Sequence, residues 1–205
     1  MVRVERVIVG EIETNCYIVW EEGSLNAVVI DPGEEAEIIT QTLNKSRLSP
    51  EVVLLTHGHG DHIGGCNELG LDVYIHEGDL GFLSKPELNL SIFVSTPVTV
   101  KQNTHVFKDQ DDLKFEKSGL AFKVIHTPGH TPGGCCFLIG DYLFSGDTLF
   151  RENIGRTDLP YASSDDIITS IKEKLFILPE KVIVYPGHGE ITTIGHEKKY
   201  NPFLC

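Results

Sequence analysis

The segment Thr56–His62, THGHGDH, places three histidines and one aspartate within six consecutive positions, His57 to His62, with glycines between them. Imidazole and carboxylate together suit borderline divalent metals such as zinc, iron and manganese. His57 and His59 stand two apart, so on an extended segment both rings leave the same side of the chain. Asp61 and His62 are neighbours and share no strand face; they suit a loop turning into a helix, where they can serve a second ion. Gly58 and Gly60 let the backbone bend there without a Cβ clash.

Three more candidates stand in tight turns that follow apolar runs: His130 in PGHTPG (128–133), Asp147 in SGDTLF (145–150) and His188 in PGHG (186–189). The set of five histidines and two carboxylates exceeds the four ligands of a closed structural zinc site. It suits two divalent ions, each with three terminal ligands, and Asp147 as the bridging carboxylate. Zinc is the first choice, with iron or manganese as alternatives. Asp31, in VVIDPGEE, is read either as a brace on the free nitrogen of a ligand histidine or as a turn carboxylate ahead of Pro32-Gly33. Cys66 lies four residues past His62, within reach of a ligand role, but a small apolar filler is the plainer reading. His76, His105, His126 and His196 lack comparable settings, with a supporting role open only for His126.

The elements that must position these residues follow from apolar patterning. Strand-like runs fall at 2–9, 15–20, 26–31, 51–56, 72–76, 112–116, 120–126, 135–139, 142–145 and 181–185. Helical patterns fall at 34–45 and 163–177, the latter opening on Ser163-Ser164-Asp165-Asp166, with shorter helices at 63–69 and 77–84. Too few helices separate the strands for a doubly wound parallel sheet. Two packed sheets with helices outside fit better, in one domain spanning residues 1–205. Four apolar runs end in turns carrying ligand residues. If those strands lie side by side in the same sense, their ends meet on one rim.

Composition narrows the class. A formal net charge of −13 disfavours nucleic acid and anionic membrane surfaces as partners, because both need clustered Lys and Arg. The N-terminal MVRVERVIVGEIE lacks the apolar core of a signal peptide, and no stretch approaches the roughly 18 apolar residues of a membrane span. Five cysteines, with Cys135 and Cys136 adjacent, suit reduced thiols in a cytoplasmic protein better than a disulfide framework.

The motifs THGHGDH, PGHTPG, SGDTLF and PGHG, in this order, resemble those of the metallo-β-lactamase superfamily. GDTLFRENIGRTDLP and the tail TTIGHEKKYNPFL are similar to the glyoxalase II-like hydrolases, especially short bacterial ones. The resemblance implies an α/β (α+β) fold, a four-layer αββα sandwich of two mixed sheets with flanking helices and the metals at one edge. It implies that His57, His59 and His130 hold one ion, that Asp61, His62 and His188 hold the other, and that Asp147 bridges, with Asp61 also orienting the nucleophile. The best-known β-lactamases carry a cysteine near the place of Asp147, which points away from penicillin hydrolysis. Only seventeen residues follow His188, where full-length glyoxalase II continues into a helical domain that helps hold glutathione. Arg156 falls where glyoxalase II has a basic substrate-binding residue; it either grips a carboxylate or forms a surface salt bridge to Asp158 or Glu152.

The chemistry so implied is hydrolysis of a small thioester of the S-2-hydroxyacylglutathione type by a metal-bridging hydroxide, since two ions lower the pKa of a shared water from about 15.7 toward 7. A thiolate, with a conjugate-acid pKa of about 8.5, leaves without a strong proton donor. The alternative is a persulfide dioxygenase with one iron on His57, His130 and Asp147, the open facial triad of oxygen-using sites; a lactonase ranks third. The expected assembly is a monomer or small homo-oligomer.

Overall fold

The structure, a computed structural model, describes residues 1–94 and 96–204. Strands β1 (Val2–Val9), β2 (Thr14–Glu21), β3 (Asn26–Ile30), β4 (Ser49–Leu54), β5 (Val73–His76) and β6 (Thr104–Phe107) form one sheet in that order. The pairs β1–β2 and β2–β3 are antiparallel, and β3 to β6 run parallel. Strands β7 (Asp112–Lys114), β8 (Ala121–His126), β9 (Cys135–Ile139) and β10 (Tyr142–Gly146) join a second sheet, after which β11 (Leu149–Phe150) and β12 (Asn153–Ile154) make a separate hairpin. Strands β13 (Ile183–Pro186) and β14 (Thr192–Thr193) complete the second sheet, ordered β14-β13-β10-β9-β8-β7, in which only β10–β13 is parallel.

Period-two alternation sorts the strand residues into layers. Tyr17, Val19, Val28, Ile30 and Leu54 of the first sheet meet Phe122, Val124, Phe137 and Phe144 of the second in a core between the sheets. On the other face of the first sheet, Cys16, Ile18, Ala27 and Val29 pack on Ile39 and Leu43 of helix α1 (Ala36–Ser46). The far face of the second sheet, with Cys136, Leu143 and Val184, packs on Ile167 of helix α5 (Ser164–Ser170) and on Ile171 and Leu175 beyond it. Helix, sheet, sheet and helix make the four-layer αββα sandwich expected, with both sheets mixed.

The same alternation settles the cysteines. Adjacent Cys135 and Cys136 face opposite layers, and both are free, as are Cys16 and Cys66. Cys66 is buried in the core beneath α1 rather than among the ligand residues, and burial pushes its thiol well up. Cys205 lies outside the described residues.

Several elements differ from expectation. The region 63–69 divides into two single turns, α2 (Gly60–Ile63) and α3 (Cys66–Leu69). Between them a Cβ on Gly65 would stand 2.5 Å from the Pro32 carbonyl oxygen, so close backbone contact replaces a continuous helix. The run at 77–84 is a 3-10 segment, Glu77–Ser84, and a further turn, α4 (Ser91–Val94), follows it. The Ser163 hydroxyl caps α5 by accepting from the Asp166 N–H at 3.3 Å, but Ile171–Leu175 continues with the wider π-type turn. Strands β6, β11, β12 and β14 and helix α6 (Ile194–Tyr200) had no clear pattern because they are only two to seven residues long. Buried Glu197 ties α6 to Thr192, to the Glu152 N–H at 2.8 Å and to the Asn201 amide at 2.8 Å. No described helix is long and apolar enough to cross a membrane.

The rim geometry also needs correction. Strands β8, β10 and β13 run in one sense in the second sheet, but β9 lies antiparallel between the first two, and β4 belongs to the other sheet. Only β10 and β13 are parallel neighbours as expected; the ends of β4 and β8 join theirs because the sheets pack face to face and because β9 returns the chain between β8 and β10.

Candidate metal centre

The loop after β4 carries His57 and His59, and the first turn of α2 carries Asp61 and His62. His130 stands in the turn between β8 and β9, Asp147 directly after β10, and His188 after β13. Their ligand atoms converge in three overlapping groups, each within 4.8 Å: His57, His59 and His130; His57, His62 and Asp147; Asp61, His62 and His188. Nδ1 of His59 lies 3.0 Å from Nε2 of His130. Oδ2 of Asp61 lies 3.3 Å from Nε2 of His62 and 3.2 Å from Nε2 of His188. Asp147 reaches both sides, with Oδ1 3.4 Å from His62 Nε2, and Oδ2 3.5 Å from His130 Nε2 and 3.7 Å from His188 Nε2. All seven sequence candidates are therefore brought together.

Except at His59, whose Nε2 has no partner, the remaining ring nitrogens have oxygen atoms close by. Nδ1 of His57 is 3.2 Å from the Thr56 hydroxyl, Nδ1 of His130 is 2.9 Å from the Arg156 carbonyl, and Nδ1 of His188 is 3.1 Å from the Ile12 carbonyl. Nδ1 of His62 is 3.0 Å from Oδ2 of Asp31, whose carboxylate also accepts from the Thr56 N–H at 2.8 Å and hydroxyl at 2.6 Å. Such partners orient imidazole ligands and select the tautomer that offers the other nitrogen. Asp31 holds its place with φ 50°, in the left-handed region that Asp tolerates better than most residues.

Burial and charge divide the cluster. Burial pushes His57 far down and His59 to about 3, so these rings are neutral and offer lone pairs. Burial also opposes ionisation of Asp61 and Asp147, but the His62 charge outweighs it and holds both carboxyls well below the usual range. In turn Asp61, Asp147 and Asp31 overcome burial at His62 and raise it. Nε2 of His57, His59 and His62 and Oδ1 of Asp147 are buried with no hydrogen-bond partner. Leaving such atoms unpaired costs about 1–3 kcal/mol each, and a cation beside Nε2 of His57 and His62 and Oδ1 of Asp147 removes that penalty for those three. Neutral His57 and His59, two ionised carboxylates and these orphaned atoms fit a pair of borderline divalent ions, which would displace the proton of His62. Gly187 completes the cradle: a Cβ there would collide with Asp147 Oδ1 and stand 2.8 Å from His62 Cε1.

Asp79 gave no recognisable signal in the sequence. It is fully buried, and its carboxylate accepts from the Gly58 N–H at 2.9 Å, the Thr131 hydroxyl at 2.7 Å and the Gly133 N–H at 2.6 Å. One side chain thus pins the loop of His57 and His59 to the turn of His130. Of the other histidines, His126 faces the Pro132 carbonyl at 2.9 Å and stacks on His76, His105 pairs with Asp72, and His196 pairs with Glu152.

The centre lies at a cavity of about 480 Å³ lined also by Ile12, Leu90, Phe93, Phe150, Leu159 and Arg156. Arg156 stands at the cavity, but its Nε and Nη2 each donate to Asp158 at 2.9 Å. The salt bridge to Asp158 is the reading the structure shows, and it engages the Nε and Nη2 side of the fork.

The chain belongs to the metallo-beta-lactamase superfamily, whose family model matches residues 9–188. It is 35% identical over 216 residues to hydroxyacylglutathione hydrolase GloC of Haemophilus influenzae, covering 98% of this chain and 97% of that protein. Among solved structures, BLEG-1 B3 metallo-beta-lactamase matches with a TM-score of 0.92 and 37% identity, over 98% of this chain and 99% of that one. TTHA1623 in a di-iron-bound form matches with a TM-score of 0.87 and 36% identity, over 98% and 100%. The protein is a metal-dependent hydrolase of this superfamily with a histidine-rich metal site.

Proposed function

We propose that the protein hydrolyses a thioester of the S-2-hydroxyacylglutathione type at a dinuclear centre. In this reading His57, His59 and His130 hold one ion and Asp61, His62 and His188 the other, with Asp147 shared between them; zinc is the first choice and iron or manganese the alternatives. The observation that carries it is the interlocking of the ligand groups at the base of a cavity in which, among the described lining residues, the only titratable side chains are ligands and Arg156.

Ions bound there supply an acidified water as nucleophile and a Lewis acid for the developing acyl oxyanion. The chain's part is orientation and proton control. Asp61, whose Oδ2 also accepts from Thr14 Oγ1 at 3.4 Å, would hold an ion and orient the nucleophile. Asp31 and the Thr56 hydroxyl hold the His62 and His57 rings in register. A lining with no spare acid favours a leaving group that needs no proton: a thiolate, with a conjugate-acid pKa of about 8.5, departs unaided, whereas an amine must be protonated as it leaves. Likeness to hydroxyacylglutathione hydrolase GloC supports the same bond type.

A single iron on His57, His130 and Asp147, as in a persulfide dioxygenase, would leave Asp61, His62 and His188 without work, so the dinuclear hydrolase is favoured. The test is metal analysis with anaerobic assays of S-lactoylglutathione first and a coenzyme A thioester second. Two ions per chain with oxygen-independent thioester cleavage is the expected result. One iron with oxygen uptake on a persulfide, or turnover confined to β-lactams or lactones, would refute the proposal.

A further inference from the structure

We infer that the cavity selects thioesters whose groups flanking the scissile bond are apolar and uncharged, in preference to those whose carrier thiol brings carboxylates into the site. This rests on the thioesterase reading, keeps its 2-hydroxyacyl group and replaces the glutathione carrier with a neutral apolar thiol. Beyond the ligand residues the wall is made of Ile12, Leu90, Phe93, Phe150, Leu159 and Pro160. Phe93 is 75% exposed and Ile12 49% exposed, large apolar side chains standing in water with nothing in the described fold to cover them. Apolar surface gathered at the mouth of a reaction site is characteristic of a surface that a ligand covers.

The wall is built rather than incidental. Leu90 is held at φ 63°, a backbone conformation that leucine rarely adopts. Its neighbour Asn89 fixes it there. The Asn89 side-chain amide donates to the carbonyls of Phe82 at 2.9 Å and Val98 at 3.0 Å, and its Oδ1 accepts from the Ser91 N–H at 3.0 Å. The Asn89 carbonyl accepts from the N–H of Gly60 at 2.7 Å. Gly60 lies between the ligands His59 and Asp61, so the segment bearing Leu90 and Phe93 is tied directly to the metal loop.

Charge points the same way. Among the described lining residues the one cation is Arg156, and its forked face is occupied by both oxygens of Asp158. A carboxylate brought to this wall would be desolvated by apolar side chains, and Arg156 would offer it only the donors that Asp158 leaves, on Nη1 and one side of Nη2. A neutral apolar substituent meets neither cost.

The test holds the acyl group constant and varies the thiol: S-lactoylglutathione against the lactoyl thioester of benzyl mercaptan, with the zinc-loaded protein. The neutral thioester is expected to have a kcat/KM at least about tenfold higher, the scale of burying part of one aromatic side chain. Phe93→Ala and Leu159→Ala should each lower that value about tenfold, chiefly through KM, and change S-lactoylglutathione by less than about twofold. Calorimetric titration with the uncleaved thioethers, dibenzyl sulfide solubilised at low concentration and S-benzylglutathione, reads the same preference without turnover. Equal or better hydrolysis of S-lactoylglutathione, with both thioethers bound alike, would overturn the inference and leave the thioesterase standing. Cleavage of neither thioester, with the neutral thioether still bound at least about tenfold more tightly, would remove the thioesterase and leave the apolar selectivity of the cavity intact.

Discussion

Replacing Asp31 with Asn separates ring orientation from the rest of the fold. The substitution keeps the size of the side chain and suits the φ of 50° at this position; alanine would add about 1–2 kcal/mol of left-handed strain. Asp31 accepts three hydrogen bonds, from Thr56 N–H at 2.8 Å, the Thr56 hydroxyl at 2.6 Å and His62 Nδ1 at 3.0 Å. Asn has one acceptor oxygen. With that oxygen toward the Thr56 N–H, its NH₂ faces His62 Nδ1; flipped, the NH₂ faces the Thr56 N–H. Either way one buried donor loses its acceptor, at about 1–3 kcal/mol of stability in the metal-free protein. In the first orientation His62 is drawn to carry its proton on Nε2, the nitrogen that faces Asp61 and Asp147. The group Asp61, His62 and His188 should then lose about 10–100-fold in metal affinity, the usual cost of removing such a partner, while His57, His59 and His130 keep theirs. Chelator competition with zinc would show one equivalent weakened and one unchanged, and urea unfolding after chelation would report the stability loss. If both equivalents bind at wild-type affinity, Asp31 does not act through His62. If both weaken alike, it acts through the fold as a whole.

Further outcomes follow from the same geometry. Gly187→Ala puts a methyl group against Asp147 Oδ1 and 2.8 Å from His62 Cε1; it should lose at least one metal equivalent in elemental analysis at an overpacking cost of about 1–3 kcal/mol, and retention of two ions would contradict the cradle. Asp79→Ala strands the Gly58, Thr131 and Gly133 donors; relief of a buried charge offsets part of this, leaving a net loss of about 3 kcal/mol in urea unfolding, and a loss below about 1 kcal/mol would show that water replaces the carboxylate. Burial, aided by the nearby His126, pushes His76 down to about 4. Its contribution to stability should therefore be complete above the unfolded value of about 6.5 and fall away as the pH drops toward about 4, by no more than about 1.4 kcal/mol per pH unit. NMR titration should place its midpoint near 4; a midpoint near 6.5 would contradict the burial argument.

The ligand residues were legible because each sits in a short local pattern: a run of β-formers, a turn rich in glycine, then an imidazole or carboxylate. Asp61 and His62 were legible as a loop entering a helix, and α2 does begin there. The layers were legible from alternation, as in Cys16 to Val19 of β2, whose successive side chains face the helix side and the other sheet in turn. Asp79 was not legible, because nothing around it in sequence announces donors 21, 52 and 54 positions away. Strand β6 and helix α6 escaped for a related reason. A four-residue parallel strand and a seven-residue helix containing a glycine have little intrinsic stability, and their neighbours supply the rest.

Residue types and local spacing alone determined which side chains are available to bind metal, which strand faces are apolar, and that the chain is acidic. They carry no information on distances between segments remote in sequence. Packing of the two sheets decided that Asp147 faces both ligand groups, that buried His57 and His59 are neutral, and that carboxylates surround His62 and raise its proton affinity in the metal-free protein. The physical reason is that these properties depend on solvent exclusion and on separations of a few ångströms between separate loops, and those exist only once the sheets have closed on each other.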